Sequence, residues 1–146
     1  MISISIDLVS PPHNLFIGDA VWTKYTVSYS SLSAASNLSS VTLAALPAKT
    51  ALHAVVVKHS ASFTGTGITA YAVAVGTSAN PTKFTPYFDV LQAPGNDIGQ
   101  SIDTGCNIED FGASTNIVLS AASMGGLLNA ATAGSVDIYL FTSVLP

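Results

Sequence analysis

Three histidines, one cysteine and an acidic run are the residues in this chain whose types could do chemistry. His53 and His59 share parity on one strand-like run. Six residues at about 3.3 Å each put them roughly 20 Å apart, too far to ligate one ion together. His13 follows Pro11-Pro12 in a turn-like segment with no fixed relation to either. Each reads as an ordinary surface or interface histidine. Cys106 lies in "DTGCNIEDF", close to Asp103, Glu109 and Asp110. Neighbouring carboxylates raise a thiol's pKa, the wrong direction for a nucleophile, so it reads as a structural thiol. A single cysteine permits no internal disulfide and suits folding in a reducing cytosol.

The segment 96–110, "NDIGQSIDTGCNIED", holds Asp97, Asp103, Glu109 and Asp110. Hard oxygen ligands of this kind bind calcium, but the spacing matches no EF-hand loop. A solvated acidic loop is the reading, and no metal site is expected. Serine is abundant, yet no G-x-S-x-G elbow occurs and the strand–turn–helix it needs is missing. "GTGITA" leads into a strand and lacks the third glycine and the lysine of a phosphate-cradling loop. No catalytic residue, cofactor or enzyme activity is therefore expected. Aromatic residues remain: Phe84, Tyr87 and Phe88 in one stretch, Trp22, Tyr25 and Tyr29 in another. Such clusters bind sugars, pack cores or anchor subunits, and core or interface packing is favoured.

Charge is the compositional anomaly. Only 8% of the 146 residues are Asp, Glu, Lys or Arg, against about 25% in ordinary soluble domains. There is no arginine, and the four lysines are scattered. Hydroxyls supply the polarity instead, through 19 Ser and 14 Thr. Mean hydropathy is +0.52. Surfaces depleted of charge resemble the cores of interfaces, so the chain is expected to be covered largely by partners. Without a basic patch, phosphate neutralisation is lacking, which argues against nucleic acid. No apolar run approaches the roughly 20 residues of a membrane helix. "MISISIDLV" has no basic start and alternates strictly, so it reads as a strand and not a signal peptide. The "NLS" sequon at Asn37 reads as coincidence.

The elements that must position these residues repeat with a period of two. Ile2, Ile4, Ile6 and Leu8 oppose Ser3, Ser5 and Asp7. Further strands are expected at 20–29, 40–47, 51–60, 68–76, 116–123 and 135–144, with a short one near 88–91. A loop holding Phe63 and Gly65-Thr66-Gly67 should join the fourth strand to the fifth. "AASMGGLLNAATAG", with three glycines, reads as a connection. Seven or eight such strands predict one all-β domain over 1–146, an antiparallel β-sandwich of jelly-roll type as one option. In the strand at 68–76, Tyr71, Val73 and Val75 form a bulky face, whereas Ala70, Ala72 and Ala74 form a flat one that admits a close neighbour. In 51–60 both faces are apolar: Leu52, Ala54 and Val56 on one, Val55 and Val57 on the other. Such a sheet is covered twice, its outer side by a neighbour or by the chain's own loops.

Two stretches carry a resemblance. "VAVGTSANPTKFTPYFDV" (73–90) breaks at Gly76, turns through Asn80-Pro81 and ends on aromatics and an aspartate. "LNAATAGSVDIYLFTSV" (128–144) places Thr-Ala-Gly before a hydrophobic last strand. Together, over about residues 50–146, they resemble small virion proteins of tailed bacteriophages: capsid decoration (cement) proteins and fibre-type accessory proteins. The resemblance implies a structural protein on the capsid exterior, folded in the host cytoplasm. Its implied partners are the major capsid protein and its own copies, as a homotrimer rather than a dimer, with no nucleic acid and no membrane. The expected interface comprises Ile2 and Ile4 of the first strand, Ala70, Ala72 and Ala74, and Phe84, Tyr87 and Phe88 of a rigid 77–91 excursion. A tail fibre or baseplate domain binding host glycans is the alternative; a hydrolase lacks a triad.

Overall fold

A computed structural model describes residues 20–93 and 109–144, and for 109–111 the backbone alone. The expected strand at 2–8, with Ile2 and Ile4, lies outside the described residues, as do His13, Cys106, Asp97 and Asp103.

Among the described residues, eight strands form two antiparallel four-stranded sheets. They are β1 (Val21–Ser28), β2 (Leu38–Leu46), β3 (Thr50–Gly65), β4 (Ala70–Thr77), β5 (Phe88–Asp89), β6 (Glu109–Phe111), β7 (Thr115–Met124) and β8 (Ala131–Val144). The first sheet has the order β1-β8-β3-β6 and the second β2-β7-β4-β5. Pairings of β1 with β8, β2 with β7, β3 with β6 and β4 with β5 make the chain one long hairpin wound over itself. The expected all-β sandwich is what the chain forms.

Alternation decides which side of each strand is buried, because successive side chains point to opposite faces. On β8, Val136, Ile138 and Leu140 are buried inward, opposite Val57 and Val55 of β3. On β4, Tyr71, Val73 and Val75 face the same core from the other sheet, with Leu119 and Ala121 of β7 beside them. Two short 3-10 turns, Tyr29–Leu32 and Leu128–Ala130, drop Leu32 and Leu128 into one end of this core.

Bulges correct the parity of β3. Its register with β8 shifts between Leu52 and Ala54, and again after His59. An extra residue turns every later side chain over. Leu52 therefore joins Val55 and Val57 in the core, while Ala54 and Val56 face outward. The same shift separates the two histidines expected to share a face: His59 is buried inward and His53 lies on the outer surface.

The expected loop after residue 60 is also strand. β3 runs on to Gly65, and Phe63 is wholly buried, its ring stacked 4.5 Å from that of Tyr71. Gly134 makes the space, since a Cβ there would collide with the Phe63 ring and its φ of 131° disfavours other residues. The connection expected over 121–134 is correspondingly shorter, because β7 reaches Met124 and β8 starts at Ala131.

Candidate functional site

The 77–91 excursion follows β4 and folds back along it. Asn80 and Thr77 exchange backbone hydrogen bonds, closing a tight turn that carries Pro81. Gly76 lies directly under this turn: a Cβ there would overlap the backbones of Asn80 and Pro81. The amides of Phe84 and Thr85 both donate to the Val75 carbonyl at 3.0 Å. The Thr85 hydroxyl accepts from the Val75 amide at 2.8 Å. Further on, the Val90 amide donates to Tyr71 and the Phe63 amide donates to the Val90 carbonyl, tying the second sheet's margin to β3. Asp89 accepts the Leu91 amide at 2.8 Å, which fixes the exit.

This path places the expected interface residues individually. Phe84 is turned into the core, and Phe88 is half-buried against it. Tyr87 is exposed and, with Pro81, Leu38, Ser39, Ser40 and Ser120, lines a groove of about 300 Å³ on the outer face of the second sheet. Ala74 on that face is fully buried, beside Ser120 and Gly76 under the excursion, whereas Ala70 and Ala72 are half-buried. The outer face thus has a half covered by the chain itself and a more open half. At the open half stand Leu38 and Met124, exposed residues that begin, from the β2 side, the neighbouring rows Leu38–Ala122–Ala72 and Met124–Ala70.

A different surface covers the outer face of the first sheet. Trp22 of β1 stacks on Phe141 of β8, with centroids 4.6 Å apart and ring planes 10° apart. The His53 ring tilts against Phe141 at 5.3 Å, and its Nε2 lies 2.7 Å from the Ser143 hydroxyl. Four residues before Phe141, Asp137 gathers polar partners: Thr26 donates to it at 2.6 Å, Ser60 at 3.0 Å, and Lys24 pairs with it at 3.1 Å. Partial burial alone would push the Asp137 carboxyl up; the donors from Thr26, Lys24 and Ser60 outweigh it and hold the carboxyl below its ordinary value. Lys24 is held above its ordinary value, chiefly by its hydrogen bond to Asp137. Its ammonium also lies 5.8 Å from the centroid of the Tyr139 ring.

Sequence reasoning missed this second surface. Its signal was the odd-numbered parity of "SVDIYLFTSV", in which Asp137, Tyr139 and Phe141 share one side; the pairing with Trp22 needs the β1–β8 register. A third feature is an open depression of about 630 Å³, lined by Thr77, Ser78, Asn80, Lys83, Thr115 and Asn116 among others. Among the described residues no cluster of three His, Cys, Asp or Glu forms a metal site, and no helix is long and apolar enough to cross a membrane.

No family model matches the chain, and a search of curated proteins finds no match. Among solved structures, a chain of the "Cyanophage Pam1 capsid asymmetric unit" is similar. Its TM-score is 0.64 and its identity 18%, and the alignment covers 100% of this chain and 98% of that one. At this identity the likeness is one of fold, extending from end to end of both chains.

Proposed function

We propose that this chain is a structural protein of a phage virion, a decoration (cement) protein that reinforces the head from outside. It does so through contacts with coat subunits and with its own copies, as a trimer rather than a dimer. The observation that carries this reading is the end-to-end likeness of fold to a chain of a phage capsid asymmetric unit. The winding of the two sheets, which we read as a jelly roll, is one that capsid domains use.

The surfaces support it. Charge is sparse, and aromatic or aliphatic side chains stand on both outer faces where chemistry-bearing clusters would be needed for catalysis. In this reading Ala70, Ala72 and Tyr87 contact neighbours, Phe84 and Phe88 brace the excursion from below, and Ile2 and Ile4 extend a sheet of an adjacent subunit. The coat protein and further copies are the partners, without nucleic acid or membrane. Folding in the host cytoplasm precedes assembly on the particle.

Sedimentation with shells assembled from the coat protein of the same phage tests the proposal. Expected are saturable binding at a fixed ratio and a higher temperature of shell disruption. No binding to such shells overturns it. One observation favours a second reading, a glycan-binding fibre or baseplate module: Trp22 is 52% exposed beside Phe141 and polar neighbours. Saccharide binding that Trp22→Ala abolishes, without any binding to shells, would select that module.

A further inference from the structure

We infer that the β2 margin of the second sheet is where a second copy of this chain docks. This deepens the reading above, on which it rests for the expectation of a multi-copy protein, by assigning one surface to the identical partner.

The two flanks of the sandwich are built differently. On the β5/β6 flank the strands are two and three residues long. Beside them the excursion, with Pro81 and Pro86, takes up the backbone groups of Val75 and Tyr71. On the other flank β2 runs for nine residues, "LSSVTLAAL", paired with β7 on one side and with no described strand on the other. It holds no charge and no proline. Those are the devices that ordinarily keep an edge strand from pairing with another chain. β1 on the same flank carries Lys24; the one such device on β2 is a bulge between Thr42 and Ala44 in its pairing with β7.

Exposed apolar side chains gather at this margin. Of the seven large hydrophobics exposed among the described residues, four surround it: Leu38 at 64%, Met124 at 67%, Leu127 at 43% and Tyr87 at 41%. Between them Ala70, Ala72 and Ala122 form a low floor that admits close approach. The groove beside Leu38 and Tyr87 is lined by Ser120, whose hydroxyl is buried and lacks a hydrogen-bond partner among the described residues.

Charge selects the partner. Each copy carries a net charge of −4, so two copies repel except where they meet through neutral surface. Neither β2 nor the groove contains an ionisable side chain other than the Tyr87 phenol. The second sheet's own exposed charges, Lys83 and Asp89, stand on the excursion and on β5, at the margin opposite β2. The neutral margin fits an identical copy.

Light scattering coupled to size exclusion, together with hydrogen exchange, tests the inference on the full chain. The wild type is expected at a multiple of 14.9 kDa, with β2 amides protected as strongly as those of the interior strand β7. The double variant Ser40→Lys/Thr42→Lys places cations on two exposed positions of β2. It should run as the monomer with fast-exchanging β2 amides and an unchanged circular dichroism spectrum. Trp22→Ala, on the other sheet, should leave the oligomer intact. A wild-type monomer at micromolar concentration overturns the inference, as does a wild-type oligomer with rapidly exchanging β2. Should the double variant fail to fold, exchange in the wild type decides alone. Binding to coat-protein shells separates the two readings. A monomer that still binds shells sinks self-docking and spares the capsid role, whereas a β2-protected oligomer indifferent to shells does the reverse.

Discussion

Gly76 and Pro81 occupy adjoining space: the turn that carries Pro81 is laid on the α-carbon of Gly76, and no side chain fits between them. Through this contact a strand ends, reverses and roofs part of its own sheet, burying Ala74 and Ser120. Gly76→Ala should therefore destabilise the fold by about 1–3 kcal/mol, the range for overpacking a tight site. Thermal denaturation measures it, with exposed Ser78→Ala as a control expected to change stability by less than about 0.5 kcal/mol. Equal melting temperatures for the two variants would mean that the turn does not depend on this contact.

Phe63 is where the two sheets lock together. Its ring stacks on Tyr71 and its amide bonds to Val90. Phe63→Ala should cost about 3–5 kcal/mol, as large-to-small changes of buried aromatics do. Gly134→Ala should also destabilise, through the collision with the same ring, while Gly112→Ala, whose Cβ meets nothing, should not. Denaturant titration of the three variants gives the ranking.

The Tyr71 hydroxyl is buried without a hydrogen-bond partner among the described residues, and burial pushes its pKa up to about 12 from 10.0. The folded state holds its proton more tightly than the unfolded chain, so stability falls as pH rises from 10.0 toward that value. Tyr71→Phe should remove that alkaline loss. At neutral pH it should match or exceed wild-type stability, by up to about 1 kcal/mol, because an unsatisfied hydroxyl is costly to bury. Melting curves across the alkaline range read both effects.

Asp137 behaves in the opposite sense at low pH. Its folded-state carboxyl titrates below the ordinary value of 3.8. Its contribution is therefore complete above that value and disappears as pH falls through the lower folded value. Asp137→Asn should weaken the acid-dependent drop in melting temperature while lowering stability at neutral pH. An unchanged acid limb would show that the Thr26, Lys24 and Ser60 contacts do not hold the charge.

Tyr87 is the exposed aromatic of the excursion. Tyr87→Ala should leave the melting temperature nearly unchanged yet reduce occupancy on coat-protein shells, by up to a few kcal/mol if it is a hot spot. Full occupancy measured by quantitative electrophoresis of purified particles would place the contact elsewhere.

The sequence by itself determined the class of fold and much of its inner lining. Alternation in the expected strand at 68–76 set Tyr71, Val73 and Val75 apart as one bulky face, and all three line the core. Scarcity of charge, likewise, marked the surface before any strand was placed. What only the tertiary structure decided arises where the period of two breaks or where neighbours come from afar. The bulge at His53 inverted the assignment of Leu52 and parted His53 from His59, because one extra residue reverses every later side chain. Phe63 and Gly134 are 71 positions apart, and neither local pattern announces that the ring needs the missing Cβ. Trp22 meets Phe141, and Leu38 and Tyr87 come to line one groove, only after the long hairpin winds over itself. Local periodicity fixes which way a side chain points, whereas register and winding fix what it meets there.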